Sequence, residues 1–239
     1  MRMAPTKPPK SKPSKTAAAR RAPAEKARIE TIFARLASRN PEPRGELEYR
    51  NNFTLLVAVV LSAQATDVGV NKATRGLFAI ADTPGKMLDL GEAALTQKIK
   101  TIGLYRNKAK NVIALSSALL RDHDGEVPAS LEDLQALPGV GRKTANVVLN
   151  NAFGHSTIAV DTHVFRVSNR LPIARGKSPE EVERGLMRVV PSAYVRHAHH
   201  WLILHGRYIC KARAPLCGTC PIADLCQFEA KTNSPSAAN

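Results

Sequence analysis

One stretch constrains this chain more than any other: Leu137-Pro138-Gly139-Val140-Gly141-Arg142-Lys143-Thr144-Ala145. Ahead of it, Ser130 stands three residues before Asp133, and Leu131, Leu134 and Leu137 recur at helical spacing, which predicts a short capped helix. Behind it, Ala145, Val148, Leu149 and Ala152 share one face of a second helix, and Gly154 is placed to stop it in a left-handed turn. Pro138 ends the first helix. Gly139 and Gly141 can take positive φ and, without side chains, let another backbone come close to their amides. Successive free N–H groups at a helix start bind phosphate, so the turn reads as an anchor for a nucleic-acid backbone. A plain glycine turn between two core helices is the alternative on these residues alone.

Lys143 adds chemistry to the anchor. At the start of a helix it faces the positive end of the dipole, and burial would act in the same direction, favouring the neutral, nucleophilic amine. The competing role is a simple phosphate contact, and position alone leaves the two open. Asp161 follows an apolar approach, Ile158-Ala159-Val160, and is placed to cap a helix running to Leu171. A helix start stabilises the ionised carboxylate, which could assist proton transfer or a developing positive charge; a purely structural cap is the other reading.

The formal net charge is +15 over 239 residues, with a pI near 10.1, which calls for an anionic partner. Nucleic acid ranks ahead of membrane, because no amphipathic lipid-binding helix stands out and Phe53–Leu61 is too short to cross a bilayer. Residues 1–24 carry seven Lys or Arg and no acid, are punctuated by proline, and are expected to form a disordered basic arm. Removing those seven charges from +15 leaves +8, so the remainder is still basic. A mitochondrial presequence is the competing reading of the arm, against which the proline spacing and missing apolar face count.

Helical periodicity then runs almost without interruption, and strand alternation is hard to find. Ile29, Ile32, Phe33 and Leu36 mark a helix over 25–39. Phe53–Leu61 reads as a helix buried on most sides, Asp67 as a cap, Thr83-Pro84 as a helix start, and 94–99 and 108–120 as further helices. Ser178-Pro179-Glu180-Glu181 predicts a boxed start for a helix that Pro191 ends, and residues 201–208 close the helical part. The expected fold is all-α.

The four cysteines all fall at the end, as Cys210-x6-Cys217-x2-Cys220-x5-Cys226. Clustering argues for one shared group. A single close pair with two outlying thiols suits the four corners of a [4Fe-4S] cubane better than the two close pairs of a zinc ribbon, although zinc and reduced thiols remain alternatives. Without a secretory signal, structural disulfides are not expected. Lys211 and Arg213, between the first two cysteines, are candidates to reach phosphate from a rigid loop. His197, His199, His200 and His205 lack ligand spacing and are expected on the polar flank of the helix that packs Trp201.

The hairpin pattern resembles that of the helix-hairpin-helix DNA-binding families. Together with LSAQATDVGVNKAT at 61–74, TIGLYRNKA at 101–109, TIAVDTHVFRVSNR at 157–170, HHWLILHGRYIC at 199–210 and the cysteine run, it is similar to the endonuclease III family of base-excision enzymes over about residues 28–228. That resemblance implies two helical lobes flanking a DNA-binding cleft. Residues 45–155 would form a six-helix barrel with the hairpin, residues 25–44 plus 156–230 a [4Fe-4S] cluster domain, and 231–239 a flexible tail. It implies that Lys143 attacks C1′ of a damaged nucleotide with help from Asp161, that Cys210, Cys217, Cys220 and Cys226 hold the cluster, and that Gln64 and Leu104 enter the space a flipped nucleotide leaves. Gly139, Val140, Gly141, Arg142, Lys211 and Arg213 complete the expected DNA contacts. The implied substrates are double-stranded DNA with oxidised or ring-saturated pyrimidines or abasic sites, handled by a cytoplasmic, nucleoid-associated monomer. A monofunctional adenine or mismatch glycosylase and a non-enzymatic DNA-binding iron-sulfur module are the competing functions.

Overall fold

The computed structural model describes residues 15–232, with side chains from residue 23, and every regular element among them is helical. In chain order these are α1 (Lys15–Arg39), α2 (Asn52–Leu61), α3 (Asp67–Phe78), α4 (Pro84–Ile99), α5 (Tyr105–Asp122), α6 (Leu131–Ala136), α7 (Arg142–Phe153), α8 (Thr162–Arg170), α9 (Pro179–Val189) and α10 (Ser192–Leu204). A π-helical turn, His205–Ile209, continues α10, and one 3₁₀ turn covers Cys217–Thr219. Residues 1–14, most of the expected arm, lie outside the described residues. The rest of that segment departs from the expectation: α1 runs back to Lys15 through Pro23, where an alanine-rich run favours helix and outweighs the single hydrogen bond that proline removes.

Two hydrophobic cores form. One gathers Phe53, Leu56, Leu61, Val70, Leu77, Met87, Leu95, Leu115, Leu119, Leu134 and Val148 from α2 to α7. The other joins Ile29, Ile32, Phe33 and Leu36 of α1 to Val164, Val167, Leu186, Trp201, Leu202 and Ile222. A small third cluster, Leu55, Val59, Val147 and Ala159, is set where α2 and α7 turn their remaining apolar faces on the segment before α8. This is why α2 is buried from Phe53 to Leu61: it is apolar on every side and has neighbours on every side.

Long-range polar contacts close the second core. Trp201 donates its Nε1–H to the Asn40 carbonyl at 2.8 Å and packs with Phe33 and Tyr194. From α1, Arg28 donates to the Leu225 carbonyl and Arg35 to the Asp224 carboxylate, which fastens the N-terminal helix to the cysteine segment.

Most helix starts follow the sequence closely, but α10 begins at Ser192, right after Pro191, rather than near Trp201, and two other starts differ in their caps. Thr66, not Asp67, caps α3, since its hydroxyl accepts from Gly69 N while Asp67 sits in the first turn with its carboxylate engaged elsewhere. At Ser178 the cap bond from Glu181 N is present, but the Glu181 carboxylate returns to Lys177 N. The two helical stretches expected on either side of Gly91 are one element with a kink there (φ 75°). Among the described residues no helix is long and apolar enough to cross a membrane.

Candidate DNA-processing site

The hairpin is built as its residues dictate. Ser130 caps α6 through Asp133 N, Leu137 leaves the helix in extended conformation, and Gly139 turns the chain at φ +77°. A side chain there would be strained, and its Cβ would also lie 2.8 Å from Asn111 Nδ2. Gly141 differs from the expectation of positive φ: it is the extended N-cap of α7 (φ −88°), with open space around it and no capping side chain. The first-turn amides of α7 are therefore left without a side-chain partner, as an anion site requires. Val140 takes part in the turn itself. Its amide already donates to the Leu137 carbonyl, and its side chain is buried in the first core.

Lys143 follows two residues after Gly141 and lines a cleft of about 470 Å³ between the two cores. The side chain keeps contact with solvent, yet the cleft walls crowd its amine. This desolvation pulls its pKa below the ordinary lysine value, against the opposing pull of the Asp161 and Asp67 carboxylates; Arg207 reinforces the lowering. Asp161 is the N-cap of α8: one oxygen, Oδ1, accepts from both His163 N (2.9 Å) and Val164 N (2.8 Å), which leaves the other free of those bonds. Structural cap and electrostatic partner are thus the same group.

Several residues at this site carry no local sequence signal and were not anticipated. Arg207 bridges Glu46 (2.5 Å) and Asp67 (2.7 Å), and the Tyr208 hydroxyl donates to the other oxygen of Glu46. These partners are 161 and 140 residues from Arg207 in sequence, so no local pattern marks them. His199 also lines the cleft. It is buried, its Nδ1 hydrogen-bonds the Ala159 carbonyl, and burial with its neighbours His200 and Lys143 holds its pKa at about 3. His200 and His205 are buried too, so these histidines do not sit on a polar flank. The exposed side of α10 falls instead to Ser192, Ala193 and Arg196, with His197 partly exposed beside them.

Gln64 and Leu104 are exposed at the ends of two loops, and both take left-handed backbone conformations, φ 53° and 58°. Non-glycine residues take that geometry uncommonly, and Asp124 shares it at φ 52°. The loops adjoin, since a Cβ on Gly103 would stand 3.6 Å from the Gln64 carbonyl oxygen.

All four cysteines line one pocket, walled by Leu171, Ile209 and Phe228. Burial raises the Cys220 thiol pKa, and the sulfurs of Cys226, Cys210 and Cys217 raise it further, so a cationic group is needed to hold four thiolates together. No three His, Cys, Asp or Glu among the described residues converge as a single ion demands. Four sulfurs around one pocket, with only Cys217 and Cys220 closely spaced in sequence, suit the corners of a multi-iron cluster. Arg170 donates to Cys210 Sγ at 3.5 Å and to the carbonyls of Lys211 and Ala212, and Arg166 donates to the Cys210 carbonyl. These tethers hold the loop by its backbone while Lys211 and Arg213 remain exposed.

Comparison with known proteins agrees with this geometry. Residues 57–192 match the HhH-GPD superfamily of base excision DNA repair proteins, and residues 210–226 match the iron-sulfur binding domain of endonuclease III. The chain is 56% identical over 208 residues to endonuclease III of Escherichia coli K12, covering 87% of this chain and 99% of the relative. It is 58% identical over 204 residues to endonuclease III of Haemophilus influenzae, covering 85% and 96%. A solved structure of a trapped endonuclease III–DNA covalent intermediate superposes with a TM-score of 0.80 at 48% identity, covering 84% of this chain and 95% of that one.

Proposed function

From the premise that this chain belongs to the endonuclease III family of the HhH-GPD base-excision superfamily, we infer that it is a DNA glycosylase and abasic-site lyase whose nucleophile is Lys143. The observation that carries the assignment is an amine of lowered pKa in a solvent-open cleft, on the first turn after the hairpin, with two carboxylates acting on it.

Neutral Lys143 attacks C1′ of the flipped nucleotide, the C1′–N bond breaks, and the base leaves with the bonding pair and takes up a proton. Opening of the sugar gives an imine between Nζ and C1′. Loss of a C2′ proton then expels the 3′ phosphate by β-elimination, and water releases the enzyme from the product. Asp161 stabilises the positive charge that develops on nitrogen and sugar and assists the proton transfers. Gln64 and Leu104 occupy the gap in the duplex; their exposed, left-handed loop positions support that role. The amides of Gly139, Gly141 and Arg142 hold phosphate on one side of the cleft, and Lys211 and Arg213 on the other. Cys210, Cys217, Cys220 and Cys226 hold the [4Fe-4S] cluster, which supplies a rigid structural centre for the Lys211–Arg213 loop.

Kinship with the endonuclease III family supports oxidised or ring-saturated pyrimidines as substrates alongside abasic sites, and a monomer acting on nucleoid DNA. The separate cores support the division into a barrel of residues 45–155 and a cluster lobe of 25–44 plus 156–230. Borohydride present during incubation with abasic duplex should reduce the imine and leave a covalent protein–DNA adduct, which Lys143→Gln should abolish. Adduct formation by the variant would remove Lys143 from its role, and a folded, DNA-bound parent that neither traps nor cuts would refute the lyase.

A further inference from the structure

The chemistry above uses no group from α10, yet a ring on that helix holds the segment that leads into Asp161. His199 Nδ1 lies 2.8 Å from the Ala159 carbonyl oxygen, and the His200 ring, edge-on at 5.2 Å between centroids, fixes the orientation of the buried His199 ring. A carbonyl can only accept, so Nδ1 carries the proton and donates it. Ala159 is two residues ahead of Asp161, in a stretch, 154–161, that has no regular structure between α7 and α8. The start of this stretch is tied to α7: Asn150 Nδ2 donates to the carbonyls of His155 and Thr157, and the Thr157 hydroxyl donates to the Asn146 carbonyl. Beyond Thr157 the ties end. Among the described residues, no hydrogen bond other than that from His199 reaches the backbone of Ile158, Ala159 or Val160.

Packing constrains the same stretch in a different way. Ala159 is buried with Leu55, Val59 and Val147, and Val147 is one turn after Lys143 on α7. Those apolar contacts hold Ala159 against the helix that carries Lys143, but burial is non-directional and leaves the carbonyl free to turn. The bond from α10 removes that freedom. Asp161 follows, with a carboxylate that caps α8 through Oδ1 and acts on Lys143.

We propose that His199 is a positioning residue for Asp161: its Nδ1–H, given to the Ala159 carbonyl, sets where the Asp161 carboxylate stands relative to the Lys143 amine. This role rests on the function inferred above. Without the donor, the Ala159 carbonyl is left buried and unpaired, and the stretch must shift to satisfy it. A displacement of about 1 Å at a reacting group can cost about 100-fold in rate.

The test uses the cluster-loaded full chain and single-turnover cleavage of abasic duplex. His199→Asn keeps an N–H at the place of Nδ1, His199→Gln carries its amide one bond too far, and His199→Leu has no donor. The His199→Asn variant should stay within about threefold of the parental rate, whereas His199→Gln and His199→Leu should be slower by about 10- to 100-fold, all three with nearly unchanged affinity for the duplex. In an Asp161→Asn background, His199→Leu should cost no further rate, because the charge it positions is already gone; a merely structural loss would multiply instead. Parental rates for His199→Gln and His199→Leu, equal slowing of His199→Asn and His199→Gln, or a multiplied loss in the double variant would each overturn the role. Should His199→Leu fail to fold, His199→Asn against His199→Gln, each with and without Asp161→Asn, decides the matter. A parent that neither traps nor cuts would strike the inferred function, and an Asp161→Asn variant at the parental rate would strike the part given to Asp161. Either result takes the positioning role down with it, and both are read without any His199 variant.

Discussion

At the residue scale, Asp161 joins a structural cap to the chemistry proposed for it, and substitution can separate the two. Asn caps a helix about as well as Asp, so Asp161→Asn should keep the bonds from His163 and Val164 and preserve stability while removing the charge beside Lys143. We expect single-turnover cleavage to fall by at least about 100-fold with DNA affinity nearly unchanged. An unaltered rate would leave Asp161 a cap alone. His199 and His200 make a prediction about pH. Folded, they stay neutral down to about 3 and about 4, because both are buried, whereas in the unfolded chain they take up protons near the ordinary value of about 6.5. Their contribution is therefore fully present above that value and is lost on acidification, at up to about 1.4 kcal/mol per pH unit for each. The urea midpoint should fall steadily from pH 6.5 to 5, a window above most carboxylate titration; a flat midpoint would contradict the burial of these rings.

At the scale of the element, the hairpin shows how two glycines in one motif answer to different constraints. Gly139 is required by the fold, through its positive φ and the Asn111 side chain against it. Gly139→Ala should cost about 2 kcal/mol or more in unfolding free energy. Gly141 has extended geometry and empty space, so Gly141→Ala should change stability by less than about 0.5 kcal/mol, yet weaken DNA binding if phosphate must approach its backbone. Equal stability losses for the two would refute this distinction. Most helices are legible in the sequence because their signals are local: Ser130 ahead of Asp133, Pro84 after Thr83, and Asp161 after an apolar approach each act within one turn. Where structure and sequence pattern part, it is between neighbours with similar chemistry, as when Thr66 takes the cap from Asp67.

Across the whole molecule, the two lobes depend on connections that no window of sequence contains. Arg170, at the end of α8, reaches the carbonyls of Lys211 and Ala212, the sulfur of Cys210 and the face of the Phe228 ring. Arg170→Ala should loosen the loop that presents Lys211 and Arg213. We expect faster bleaching of the cluster's visible absorbance under a chelator, and DNA affinity about tenfold weaker, equivalent to about 1.4 kcal/mol. Bleaching at the parental rate would show that the tether does not support the cluster.

The sequence by itself determined the helical class, the hairpin, the four thiols and the two residues proposed for chemistry, because periodicity, capping and ligand spacing are interactions over a few residues. Tertiary structure alone decided that Arg207 joins Glu46 to Asp67 at the cleft and that Lys143 lines the same cleft, where its surroundings lower its pKa. Burial and charge proximity are properties of packed surfaces, and packing brings together residues whose separation along the chain carries no trace of it.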